Sequence, residues 1–92
     1  MIFYYVVITF YPDLTDARHF EERLIPFHNF EEAVEMVEVI MDLYENNDEM
    51  GAYEIFWIPD TKATIGFITI KDSGVLRAFR FEVAQGKLDI LK

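Results

Sequence analysis

The chain contains no cysteine. That excludes disulfides, thiolate nucleophiles and cysteine-based zinc sites together, and it suits a reducing cytoplasm, where the protein is expected. Serine occurs once, as Ser73 beside Gly74, in a setting that suits a turn former better than a nucleophile. The four glycines form no phosphate-binding loop. No apolar run approaches the roughly 18 residues of a membrane span. Residues 1–10 are apolar but lack a basic leader and a small-residue cleavage site, so a strand is expected there rather than a signal peptide. Most telling is a missing charge: no lysine or arginine occurs from residue 24 to residue 61.

What is present is apolar and acidic together. Hydrophobic residues make up 52% of the 92 and aromatics 16%, which rules out a disordered acidic tail and predicts a single folded domain with a modest core. The net charge is −9, unevenly spread. Residues 13–60 carry 14 acids against two bases, Arg18 and Arg23, whereas residues 61–92 carry six bases against three acids. Such a distribution repels nucleic acid and anionic lipid and attracts basic surfaces.

Residues 2–11 are aromatic and β-branched on both alternating faces, as in an interior strand covered on both sides. Pro12-Asp13 breaks that strand. Residues 15–24 fit either a short helix (Leu14, Ala17, Phe20, Leu24 on one side) or a strand hairpinned back on the first, the second being favoured. Asn29 followed by Glu32 has the spacing of a helix N-cap and its reciprocal partner. From 30 to about 44, Ala33, Val34, Val37, Ile40, Met41 and Tyr44 recur at helical spacing. Gly51 closes this region. Strands are expected over 52–58, ending at Pro59-Asp60, over 63–70, ending in a hairpin turn at 71–74, and over 75–83, ending near Gln85-Gly86. In the last strand Ala78, Arg80 and Glu82 define a solvated face, and 88–91 add an edge. The expected fold is α+β: an antiparallel sheet of four to five strands with one long acidic amphipathic helix, in the order β-β-α-β-β-β.

At about 100° per residue, Glu31, Glu35, Glu38, Asp42 and Glu45 fall within a stripe roughly 80° wide. Glu49 rejoins it if the helix continues, with Glu32 and Asp48 alongside. Like charges three and four residues apart oppose a helix by a few tenths of a kcal/mol per pair, and Asp42 and Glu45 sit toward the wrong end of its dipole. An acidic stripe is ordinarily a solvated face, but one with no lysine is costly as mere surface. Two charges per seven residues space the carboxylates roughly 5 Å apart along the axis, an approximation to part of a phosphate strand, whose phosphates advance about 3.4 Å along the duplex axis on a slanting path.

Other chemistry is thinly represented. His19 and His28 each stand three residues before a glutamate, Glu22 and Glu31, a spacing common by chance and weak as a metal site. Residues 46–49 share only composition with a calcium loop. The acids lie on an exposed ladder where nothing raises a carboxyl pKa for acid–base work. Met36, Met41 and Met50 read as core filler. No catalysis, metal or cofactor is expected.

In size and acidity along its whole length the chain resembles the small acidic anti-restriction proteins of bacteriophages, most nearly the Arn type of T-even phages. DNA mimics share surface charge rather than sequence. The residues that carry the resemblance are Glu31, Glu35, Glu38, Asp42 and Glu45, extended by Glu32, Asp48 and Glu49, with Asp13, Asp16, Glu21 and Glu22 as a second cluster. The resemblance implies a homodimeric DNA mimic in the host cytoplasm that blocks a modification-dependent restriction nuclease of the McrBC kind, binding neither nucleic acid nor membrane itself. A second possibility of another class is an acidic interaction module for a basic patch on a host polymerase or transcription factor. The basic C-terminal third departs from the family pattern: Lys62, Lys71, Arg77, Arg80 and Lys87 are expected to lie away from the mimic face.

Overall fold

A computed structural model describes the backbone of residues 2–58 and 65–87. The elements are β1 (Ile2–Tyr11), a 3-10 turn at Leu14–Asp16, β2 (Glu21–Phe27), α1 (Phe30–Asn46), a second 3-10 turn at Asp48–Met50, β3 (Ala52–Ile58), β4 (Ile65–Asp72) and β5 (Val75–Lys87). All five strands form one antiparallel sheet in the order β2-β1-β5-β4-β3, and α1 lies across one of its faces.

The choice over residues 15–24 is resolved by pairing. Leu24 stands opposite Val7 and Ile25 opposite Val6, so the segment hairpins back on β1. The turn between them contains a short 3-10 stretch capped by Asp13, whose carboxylate accepts from the Thr15 amide. Pro26 sits within β2, which an edge strand tolerates because one side of its backbone has no ladder to lose.

Helix α1 starts where expected. Asn29 is extended, and its side-chain oxygen accepts from the Glu32 amide at 2.8 Å. The helix runs to Asn46, two residues past the expected end. Ala33, Val37 and Met41, four apart on one line, are wholly buried against Val6, Ile68, Phe81 and Val83. Side chains the size of Val37 and Met41 stabilise by roughly 1.5–3 kcal/mol each when fully buried.

The β4–β5 hairpin turns at Ser73 and Gly74, both with positive φ (52° and 84°), the requirement of a tight two-residue turn. β4 runs to Asp72, two residues past the expected end; residues 63 and 64 lie outside the described residues, as do Pro59-Asp60 and the expected edge at 88–91.

β5 continues through Gln85-Gly86, where its end was expected. Phe3 pairs with Gly86, and a β-carbon on Gly86 would lie 2.8 Å from the Tyr5 ring. The glycine admits an aromatic ring rather than stopping a strand.

The face of β5 expected to be solvated is mixed. Arg80 and Glu82 are partly exposed and paired at 2.7 Å, but Ala78 is fully buried. Ala78 stands between Tyr11 and Thr69 in the register, and larger neighbours shield so small a side chain. On the same open face lie Phe3, Val7, Leu24, Phe56 and Phe67.

Candidate partner-binding surface

Glu31, Glu32, Glu35, Glu38, Asp42 and Glu45 are all on α1 and all exposed. Ala33, Val37 and Met41 fix the helix rotation by facing the sheet, which turns the carboxylate row outward. Three ion pairs occur among the described residues, Arg18–Asp16, Arg77–Asp72 and Arg80–Glu82, and His19 is hydrogen-bonded to Asp16. None involves a carboxylate of the row. The last turn carries no base; instead the Asn46 side-chain amide donates back to the Asp42 carbonyl at 3.1 Å.

The extension toward Glu49 takes a different form from the one expected. Asn47 is extended (φ −133°, ψ 99°) and caps the 3-10 turn, accepting from the Glu49 amide, while Gly51 closes that turn with φ 73°. Asp48 and Glu49 are therefore exposed on a separate turn beyond the helix, and the helical angle projected for Glu49 does not hold. A side chain that caps a new turn interrupts the old one.

The second cluster is dispersed. Asp13 is occupied with Thr15, accepting from its amide and from its hydroxyl at 2.7 Å. These bonds, the hydroxyl's first, hold the Asp13 carboxyl below its ordinary pKa. Asp16 contacts Arg18 and His19, the latter at 2.6 Å. Glu21 and Glu22 are consecutive in β2, opposite Phe10 and Thr9, and so point to opposite faces of the sheet. These four acids do not extend the helical row as one surface.

The basic residues fall as follows. Arg80 and Lys71 lie on the sheet face away from α1, Lys71 with its ammonium 5.6 Å from the Tyr53 ring centre. Arg77 is on the helix side, where it lines a cavity with Tyr44, Gly51 and Phe79 near the C-terminal end of α1, the end whose dipole favours a cation. Lys62 and the Lys87 side chain lie outside the described residues.

The histidines are engaged otherwise than as ligands: His19 with Asp16, His28 against the Phe3 ring at 5.5 Å between centres. Among the described residues no group of three or more His, Asp or Glu is placed to hold a metal ion, and no helix is long and apolar enough to cross a membrane.

Two residues escaped the sequence reading. Val39 and Leu43 are 51% and 53% exposed, at about 80° and 120° from Glu31 around the helix. The outer surface of α1 is thus divided between an acidic half and an apolar flank interrupted by Glu32. The signal was present in the periodicity, since neither residue falls on the buried Ala33–Val37–Met41 line. On the flank side Met36 both packs on the core and lines a groove with Phe27 of β2, more than the filler role expected of it. Comparison of the chain with protein-family models, curated proteins and solved structures finds no match.

Proposed function

We propose that the protein is a stoichiometric DNA mimic that occupies the positively charged DNA-binding site of a restriction nuclease of the McrBC kind. One observation carries this reading: α1 holds six exposed carboxylates with no base on the helix and, among the described residues, no ion-pair partner for any of them. A surface of this kind is complementary to a cleft lined with arginine and lysine, and its attraction is long-ranged and salt-sensitive. The mode of action needs neither catalysis nor a cofactor, and its setting is the cytoplasm of a phage-infected host.

The open sheet face supports a homodimer as the working form. It exposes Phe56 (66%), Leu24 and Phe20, apolar area that a second copy would remove from water. Pairing two copies there leaves both α1 helices outward, so that each copy presents its own row of carboxylates. The exposed Val39 and Leu43 beside the acids also favour a second reading, an interaction module docking on a basic patch of a host polymerase or transcription factor without competing with DNA.

A cleavage assay separates the two. A McrBC-type nuclease cuts methylated DNA in the presence of rising amounts of the protein, at low and moderate salt. A DNA mimic protects in proportion to dose, less at higher salt, and excess DNA reverses the protection. The variant combining Glu35→Gln, Glu38→Gln, Asp42→Asn and Glu45→Gln loses the effect. Absence of protection at every dose removes this target.

A further inference from the structure

Glu32 and Glu35 stand at the rim of an open groove of about 500 Å³ lined by Phe27, Met36, Val39 and Ile40. Phe27 is the last residue of the edge strand β2, so the groove opens at the side of the sheet. A helix serving only as a row of charges gains nothing from leaving Val39 and Leu43 in water, and apolar surface of this kind is stabilised by being covered. We infer that the groove seats an apolar side chain of the protein partner, flanked by arginine or lysine residues that meet Glu32 and Glu35. The inference rests on the acidic-helix reading above and adds the partner's chemistry to it.

Charge complementarity selects this occupant. A second copy would bring its own carboxylate row against the rim. Nucleic acid and anionic lipid meet repulsion there. A basic segment with a leucine- or phenylalanine-sized anchor satisfies both the floor and the rim, the arrangement by which short segments dock through apolar anchors in a helix-bordered groove.

Two synthetic peptides of equal length and charge test this, one repeating lysine and serine, the other lysine and leucine. The lysine–leucine peptide binds the protein about tenfold more tightly, the return expected from covering one side chain partially, and shifts the methyl resonances of Met36, Val39 and Ile40. Val39→Asn, at an exposed position, removes most of that preference and leaves the lysine–serine affinity unchanged. Equal affinity of the two peptides overturns the inference. So does a preference that survives Val39→Asn, or one whose shifts fall on Val7 and Leu24 of the open sheet face. The two proposals fail separately. Nuclease protection without the peptide preference removes the groove and keeps the mimic, whereas the preference without protection removes the nuclease and keeps the groove.

Discussion

The Sδ atom of Met41 stands 2.6 Å from the point where a β-carbon on Gly66 would lie. The fully buried Met41 of α1 thus rests directly on the backbone of β4, and the absence of a side chain at residue 66 sets how closely the acidic helix approaches its sheet there.

Gly66→Ala therefore overpacks a contact in which Met41 is fully buried. The expected cost is about 1–3 kcal/mol, measured by denaturant unfolding. Met41→Ala alone costs about 2–5 kcal/mol. The double variant is less destabilised than the sum of the two, because the added methyl enters the space the thioether vacates. Additive losses would show that the two residues do not share that space.

Neutralising Glu35, Glu38, Asp42 and Glu45 leaves the fold as stable as before or slightly more so, since each like-charge pair opposes the helix by a few tenths of a kcal/mol. Thermal unfolding at two salt concentrations is the check. Added salt raises the midpoint of the wild type by screening the row and raises that of the variant less. A clear loss of stability in the variant would make these acids structural.

Asn29→Ala removes the acceptor for the Glu32 amide and costs about 1 kcal/mol. Amide exchange resolves the site of the loss: protection falls first in the opening turn of α1, around Glu31 and Glu32, and least at Met41.

Asp13 titrates below the ordinary aspartate range because Thr15 donates to it from both hydroxyl and amide. A carboxyl lowered by folding contributes stability above its unfolded pKa and loses that contribution as pH falls through the lowered folded value. Thr15→Ala removes the hydroxyl and keeps the amide, so the Asp13 pKa rises part of the way back, as read by NMR titration of the carboxyl. With the group fully exposed, the accompanying change in acid stability is small.

Local chemistry was enough to locate α1 and the β4–β5 turn. The Asn29 cap, the four-residue spacing of Ala33, Val37 and Met41, and the Ser73-Gly74 pair act over a few residues and leave the same mark in any fold. The outward direction of the carboxylate row follows from that spacing too, because once one side of a helix is apolar enough to be buried the opposite side is committed to water. Residues 15–24 were different: Leu14, Ala17, Phe20 and Leu24 suit one side of a helix, Arg18, Phe20, Glu22 and Leu24 suit a strand, and only the ladder with β1 chose between them. The carboxylates of residues 13–22 looked contiguous along the chain, yet strand alternation turns Glu21 and Glu22 to opposite faces, and Arg18 and His19 engage Asp16.

What the amino-acid order determined by itself was an α+β domain of one antiparallel sheet and one acidic helix, because caps, turns and hydrophobic periods are local. The tertiary structure decided the strand order, the placement of Gly86 under the Tyr5 ring, and the groove between Phe27 and Val39. Each depends on residues distant in sequence being brought into contact, and a side chain's exposure is settled by which neighbour arrives to cover it. Val39 and Leu43 remain half in water because the burial of Ala33, Val37 and Met41 against the sheet turns the opposite side of α1 outward.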